Sequence, residues 1–359
     1  MLVNNQNYRT IWMQDSCVYM VNQQLLPHKF EIYKSIDYKA TADAIKTMIV
    51  RGAPAIGAAG AFGLAQAAMG FEGEKFEDFK NYALGASRIL SSTRPTANDL
   101  FYALEFVWKK MFLDESTANS KMRAFEAAIE YADWSAGVCR QIGEHGSRLI
   151  RNGQRILTHC NAGALACVDF GTALSPIRAA NNMKKNIFVY VDETRPRNQG
   201  ASLTAWELTQ EKIGHSIIAD NAAGFFMRKK EIDFAIVGAD RIAMNGDVAN
   251  KIGTYEKAVL ARENNIPFYV AAPLSTFDIK SKSGDDIEIE ERSEDEVLYI
   301  LGIGEDGRIR KVRIAPKESR ARNPAFDVTP AKYITGIITE KGVINPSRED
   351  IGKFAANKK

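Results

Sequence analysis

The chain is poor in the residues that form metal centres and disulfide frameworks. Four cysteines and four histidines are spread over 359 residues, and no two cysteines form a C-x-x-C pair. A zinc site or a disulfide scaffold needs such residues clustered at short spacing, so the sequence predicts neither. So few cysteines in a long chain are typical of a protein from a reducing compartment.

Long apolar runs and an excess of one charge are also missing. No apolar stretch approaches the roughly 20 residues of a membrane helix, and the polar N-terminus has no signal-peptide core. The net charge is +3, with basic and acidic residues interspersed. We therefore expect a cytoplasmic protein that binds neither membrane nor nucleic acid. A few well-placed cations would still suffice for a small anionic substrate.

The hydrophobic pattern changes near residue 148. Before that point the helical period dominates, apart from a predicted hairpin around residues 18–33. After it, short apolar runs alternate with helical stretches, which is typical of βαβ units and a parallel sheet. The runs are 155–158, 186–191, 216–219, 234–237 and 267–272. We predict an α/β protein with a mainly helical domain at 1–145 and a Rossmann-like, doubly wound domain at 146–359.

Polar residues follow three of these predicted strands. Cys160 follows the first, Asp192 follows the second and Asp240 follows a later one. Ligands bind beyond the carboxyl ends of parallel strands, so Cys160 and Asp240 should face one crevice. Each also has a plain structural reading, as a packed small side chain or a helix cap. His159 should point to the opposite face from Cys160, which argues against a Cys–His catalytic pair.

Cationic and amide residues suggest phosphate binding. Arg51-Gly52-Ala53-Pro54 resembles a helix start, with Pro54 at the first helical position and free N–H groups at the positive helix end. Arg94-Pro95-Thr96 repeats this logic, and Asn250 with Lys251 should open another helix. Rigid turns with solvated cations are the alternative for each. The glycines at 57, 60 and 63 form no G-x-G-x-x-G, so close helix packing is favoured over a dinucleotide site.

Several of these motifs together resemble one known family, that of methylthioribose-1-phosphate isomerase, which also includes regulatory subunits of translation initiation factor 2B. The resemblance runs from about residue 30 to Val343. It is carried by RGAPAIG from Arg51, RPTA from Arg94, THCNAGALA from Thr158, DETRP from Asp192 with Gln199-Gly, GADRIA from Gly238, NGDVANKIGTY from Asn245, IPFYVAAPLST from Ile266, IEER from Ile289 and NPAFDVTP from Asn323.

The resemblance implies an aldose–ketose isomerase of methionine salvage that acts on 5-methylthioribose 1-phosphate as a homodimer, without cofactor or metal. By the same resemblance, Asp240 is the proton donor and Cys160 assists the transition state. The substrate-contact positions that it implies are Arg51, Gly52, Ala53, Arg94, Gln199, Asn250 and Lys251.

Two alternatives stay open at this point. A sister isomerase would act on 5-deoxyribose 1-phosphate or ribose 1,5-bisphosphate with the same groups around C1 and C2. A regulatory translation-factor subunit would have no activity, and the presence of both Cys160 and Asp240 argues against it. The chain departs from the family pattern at Asn198 and Ser202, at Asn98-Asp99, and in an insertion at 302–311. These departures leave open mainly which substituent the sugar substrate carries at C5.

Overall fold

The first part of the chain contains two small antiparallel sheets followed by five helices. The computed structural model describes residues 1–94 and 98–356. The first strands are β1 (Leu2–Val3), β2 (Gln6–Asn7), β3 (Ile11–Gln14), β4 (Cys17–Val21) and β5 (Ile32–Ser35). The helices are α1 (Tyr38–Lys46), α2 (Ala53–Met69), α3 (Phe76–Ser92), α4 (Asn98–Met111) and α5 (Thr117–Ser147). Strands β3, β4 and β5 pair antiparallel, so the predicted hairpin forms with one further strand.

Helix α2 is the centre of the first core. Its small residues are buried on every side, and glycines bring other helices close. A Cβ on Gly57 would lie 2.6 Å from the Tyr131 hydroxyl, and one on Gly60 would lie 2.4 Å from Leu100 Cδ1. The alanine- and glycine-rich pattern therefore serves close helix packing, as its sequence indicates.

The second part is built on a seven-stranded sheet. Its strand order is β18-β17-β12-β9-β6-β7-β8, and all neighbours are parallel except β17 and β18. The strands are β6 (Arg155–Thr158), β7 (Phe188–Asp192), β8 (His215–Ile218), β9 (Phe234–Val237), β12 (Phe268–Ala271), β17 (Gly336–Thr339) and β18 (Gly342–Ile344). The helices are α6 (Leu174–Asn182), α7 (Ala205–Gln210), α8 (Ala223–Arg228), α9 (Thr254–Glu263), α10 (Asp295–Leu298) and α11 (Arg348–Ala356). The predicted α/β class is confirmed.

Smaller strands form two further sheets in this part of the chain. A four-stranded sheet has the order β13-β10-β11-β16, and β14 pairs with β15 in a separate hairpin that contains the insertion at 302–311. Their bounds are β10 (Arg241–Ala243), β11 (Val248–Lys251), β13 (Phe277–Asp278), β14 (Tyr299–Ile303), β15 (Ile309–Arg313) and β16 (Phe326–Thr329).

Two local predictions need correction. Asn250 and Lys251 end strand β11 and do not open a helix, because the Asn-Gly-Asp turn folds β11 back onto β10. Helix α9 begins only at Thr254, after Gly253 turns the chain with a φ of 98°. Pro54 is the second residue of α2, since Ala53 already has helical geometry.

Helix α5 belongs to two hydrophobic cores. Its first half, around Ala128 and Tyr131, packs with α2 and α4. Its second half, including Val138 and Ile142, packs under the seven-stranded sheet. The division at residues 145 and 146 stays a prediction. Across residues 1–94 and 98–356, the helices are too short or too polar to span a bilayer.

Phe234 tests the contribution of the sheet core. It is 2% exposed, and its ring stacks on Tyr269 with 5.0 Å between ring centroids. Phe234→Ala should destabilise the protein by about 3–5 kcal/mol, because it leaves a cavity in a close-packed layer. The matched control Phe225→Ala, at a residue that is 59% exposed, should leave the urea unfolding midpoint nearly unchanged. Equal midpoints for the two variants would contradict this account.

Candidate active site

A cavity of about 750 Å³, which includes its opening to solvent, lies beyond the carboxyl ends of β6 and β9. The structure brings every residue that the sequence marked for the site to its wall. These are Arg51, Gly52, Ala53, Arg94, Cys160, Gln199, Asp240, Asn250 and Lys251. Strand ends that are far apart in the chain therefore meet around one space, as expected for a parallel sheet.

Cys160 is held firmly at the end of β6. Its φ of 63° is unusual for a residue other than glycine, and it bends the chain away from the strand. Its N–H donates to the Thr194 hydroxyl at 2.8 Å, and its carbonyl accepts from the Thr204 hydroxyl at 2.7 Å. The residue is 8% exposed. These contacts fix the backbone that presents the thiol to the cavity.

Asp240 enters the cavity wall from the end of β9. Its N–H donates to the Ala249 carbonyl at 2.9 Å, which ties it to strand β11. Its carboxyl has no hydrogen-bond partner within the described residues. Burial raises the pKa of Asp240, while Lys251 and nearby arginines oppose this rise. A carboxyl in such surroundings holds its proton more readily than one in water.

Four cations act on this carboxyl, and three of them, Lys251, Arg292 and Arg94, keep unused hydrogen-bonding capacity within the described residues. Within the described chain, Arg94 makes no hydrogen bond or ion pair, and the side chain of Arg292 bonds only to Glu290 through Nε, at 3.1 Å. Burial, reinforced by Arg292, lowers the pKa of Lys251 to about 8. Buried like charges repel one another, so the cavity favours an anion.

The start of α2 adds further donors. Gly52 has a φ of 94°, and a Cβ there would lie 2.5 Å from Ala166, so the close approach requires glycine. The Arg51 guanidinium donates to Gln23 Oε1 at 3.2 Å and to the Asn161 carbonyl at 3.1 Å. The predicted helix start at Arg94-Pro95-Thr96 involves residues 95–97, which lie outside the described part of the chain.

Two amides complete the predicted set. Gln199 is buried, and its Oε1 has no partner in the part of the chain that the structure covers. Asn250 donates to the Thr254 hydroxyl at 3.0 Å, and Lys251 donates to the Ala325 carbonyl at 2.7 Å. These bonds fix the end of β11 against α9 and β16.

Arg292 and Phe326 line the cavity but received no role from sequence reasoning. The Phe326 ring centroid lies 4.4 Å from Lys251 Nζ and 5.6 Å from the Arg292 guanidinium carbon. Both residues lie in quoted motifs, IEER and NPAF, in segments without clear periodicity. The only feature of the sequence that could have marked Arg292 and Phe326 as site residues was their place in these motifs.

A second cavity, of about 570 Å³ with its open side, adjoins the first and shares Arg94, Asp240 and Phe326 with it. Its wall is largely apolar, with Ile56, Ile287 and Ile289 beside the polar Arg241 and Glu288. A ligand in the first cavity could thus extend an apolar group into the second.

Comparisons with known proteins agree with this architecture. A family model described as the initiation factor 2 subunit family matches residues 49–346. A methylthioribose-1-phosphate isomerase from Geobacter sp. (strain M21) is 49% identical over 348 residues, which cover 96% of this chain and 97% of that protein.

Solved structures show the same similarity. The 5-methylthioribose 1-phosphate isomerase of Pyrococcus horikoshii OT3 matches with a TM-score of 0.89 and 44% identity, over 98% of this chain and 97% of that one. A structure described as translation initiation factor eIF-2B, subunit delta, from A. fulgidus matches with a TM-score of 0.84 and 42% identity, over 97% and 99%. The chain therefore belongs to the initiation factor 2 subunit family and, within it, to the methylthioribose-1-phosphate isomerases.

Proposed function

We propose that this protein converts 5-methylthioribose 1-phosphate to 5-methylthioribulose 1-phosphate in methionine salvage. The observation that carries the proposal is the shared cavity, in which Cys160 and Asp240 stand among buried cations that keep unused hydrogen-bond donors within the described residues. The names of the relatives point to the same reaction. A cytoplasmic homodimer is part of the proposal.

Asp240 acts first in the proposed mechanism. The phosphate on the anomeric carbon locks the sugar ring, so a general acid must protonate the ring oxygen before the ring opens. Burial raises the pKa of Asp240, which favours the protonated carboxyl that this step needs. The neighbouring cations limit that rise, so the proton can still be released to the substrate.

Cys160 assists the second step, in which hydrogen moves from C2 to C1. A direct hydride shift keeps this hydrogen within the sugar, whereas an enediol route with Cys160 as base exchanges it with solvent. Both routes need exclusion of water and fixed groups around the reacting carbons. The low exposure of Cys160 and its two backbone hydrogen bonds suit either route.

The phosphate lies among the cations in this proposal. Arg94 and Arg292 offer unused guanidinium donors, and Lys251 adds a point charge beside them. A phosphate with about two negative charges would relieve their mutual repulsion and accept several charge-assisted hydrogen bonds. Arg51 and the start of α2 complete the proposed anion site.

The second cavity favours the methylthio group at C5. Its isoleucines suit a thioether. Arg241, the cation that this cavity does not share with the first, is paired with Asp278 at 3.5 Å and lies in the same wall as Glu288, which disfavours the second phosphate of ribose 1,5-bisphosphate. A role as a translation initiation factor subunit, which is how the A. fulgidus structure is described, accounts less well for a buried carboxyl and thiol in an anion-binding cavity.

A panel of three sugars tests the function. Methylthioribose 1-phosphate should give the highest kcat/KM in an isomerase assay on the purified protein. The 5-deoxy analogue loses an apolar contact and should react about 10- to 200-fold more slowly, and ribose 1,5-bisphosphate should be the poorest substrate. Preference for the bisphosphate would favour the sister isomerase. No turnover of any sugar, with other subunits co-purifying, would favour the regulatory role.

Asp240→Asn tests the general acid. The amide cannot supply the proton, so kcat should fall by about 10²- to 10⁴-fold while calorimetric substrate binding persists. Asp233→Asn is a matched control, because Asp233 pairs with Arg155 at the opposite edge of the sheet. Near-normal turnover by Asp240→Asn would remove Asp240 from the proposed role.

The alkaline limb of the pH profile tests Lys251. Its ammonium is charged below its pKa of about 8 and neutral above it, so anion binding weakens as the pH rises through this value. The kcat/KM of the free enzyme should fall with a midpoint near the same pH. Lys251→Met should lower kcat/KM and abolish this limb, whereas Lys280→Met, at an exposed lysine, should retain it. An unchanged limb in Lys251→Met would assign it to another group.

A further inference from the structure

His159 forms a buried cross-link in the wall of the cavity. Its Nδ1 lies 2.9 Å from Asp192 Oδ2, and its Nε2 lies 2.8 Å from the Ile252 carbonyl oxygen. His159 is 1% exposed and Asp192 is 0% exposed. Both ring nitrogens are thus occupied by partners other than the neighbouring Cys160.

The two ring contacts require a particular proton arrangement. The Ile252 carbonyl can only accept, so Nε2 of His159 must carry a proton. The contact with Asp192 then needs one more proton, on either Nδ1 or the carboxyl. His159 and Asp192 therefore share this proton as a pair with no net charge. Such a pair can be buried without leaving an isolated charge.

The cross-link joins segments that form two sides of the active-site cavity. His159 directly precedes Cys160, and Ile252 directly follows Asn250 and Lys251. The Ile252 N–H donates to the Ala325 carbonyl at 3.1 Å, the same oxygen that accepts from Lys251 Nζ. The position of Ile252 thereby affects the position of the Lys251 ammonium. The bond from His159 to Ile252 sets the distance between the segment at 250–252 and Cys160.

Gly253 shows how closely this contact is packed. A Cβ on Gly253 would lie 3.1 Å from His159 Cε1 and 3.2 Å from Nε2. Any other residue at 253 would press on the ring that holds Ile252. The glycine therefore lets the chain turn into α9 without displacing the histidine.

The same residues could suggest a metal site, because Asp220 also approaches His159 and Asp192. The surrounding contacts argue against this reading. Asp220 already accepts the backbone N–H groups of Thr194 and Arg195 at 2.7 and 2.6 Å. The Lys257 ammonium lies 3.7 Å from Asp192 Oδ2, where its charge would repel a cation.

We propose that His159 is a positioning residue for substrate binding. Through its Nε2 bond to Ile252, it holds Asn250 and Lys251 at their working distance from Cys160, and Asp192 fixes the orientation of the ring. This inference rests on the proposed function, in which Asn250 and Lys251 contact the sugar phosphate. The inference assigns the effect on substrate binding to the hydrogen bond between His159 Nε2 and the Ile252 carbonyl. A substitution can remove this bond and keep the bond to Asp192.

Two substitutions of His159 separate the two bonds. The amide nitrogen of His159→Gln can take the place of Nε2 and keep the bond to Ile252. That of His159→Asn can take the place of Nδ1 and keep only the bond to Asp192. Each variant loses one buried hydrogen bond, so both should unfold at lower temperature than the wild-type protein.

KM distinguishes positioning from a general loss of stability. We expect His159→Asn to raise KM for methylthioribose 1-phosphate by about 10- to 100-fold, because the binding segment moves. His159→Gln should keep KM within about threefold of the wild-type value. His215→Gln is a matched control, since the ring of His215 bonds to one backbone carbonyl, that of Ile213. It should leave KM unchanged. Equal KM values for His159→Asn and His159→Gln, whether raised or normal, would overturn the proposal.

Two further measurements keep the test decisive. If His159→Asn does not fold, Gly253→Ala is tested in its place, because the added methyl group disturbs the bond between His159 and Ile252. Gly253→Ala should raise KM. An unchanged KM for this variant would count against the inference. If the wild-type protein turns over no sugar, the proposed function fails by itself. The variants are then compared by their dissociation constants for inorganic phosphate, with the same ranking expected and equal constants overturning the proposal.

Discussion

The parallel pairing of β6 with β7 and β9 is the constraint on which the site depends. Thr158 pairs with Val191, and Leu157 pairs with Ala235, so the three strands end at nearly the same level. Their following loops must therefore leave the sheet at one edge. Cys160, Thr194 and Asp240 meet there because of this register, although they are far apart in the chain. The hydrogen bond from Cys160 N–H to the Thr194 hydroxyl is a direct product of it.

Opposing electrostatic effects then set the character of the cavity. Burial favours the neutral forms of Asp240 and Lys251, whereas attraction between them favours their charged forms. Within residues 1–94 and 98–356, the balance leaves positive charge over, because Arg94 makes no ion pair there and Arg292 pairs only through Nε with Glu290. Such a cavity gains stability when an anion enters. The charge that selects the ligand therefore also affects the protonation of the proposed acid.

The sequence predicted best what depends on strong local patterns. The bounds of β6 and β9 agree with it to the residue, because strands buried on both faces form short apolar runs between clear breaks. The family motifs likewise marked nine residues that now line one cavity. Helix α3 lies in the region predicted as mainly helical but without bounds of its own, because its buried side, from Phe79 through Ala83 and Ala86 to Leu90, is narrow and half alanine.

Other features depended on contacts between distant segments. The sequence placed Asn250 and Lys251 at a helix start, because local rules do not show that β11 pairs with β10 and β16. Arg292 comes from a stretch without periodicity, and only the packed structure brings it beside Phe326 and Lys251. The bond between His159 and Ile252 is similar, since no local pattern in the sequence shows that these two residues meet.

Helix α5 affects how the protein unfolds. Its 31 residues supply side chains to the helical core at one end and to the core under the sheet at the other. Loss of either core would expose an apolar face of a helix that the other core still needs. The two halves are thus thermodynamically coupled, and cutting the chain near residue 145 would produce two fragments that each lack part of a shared element.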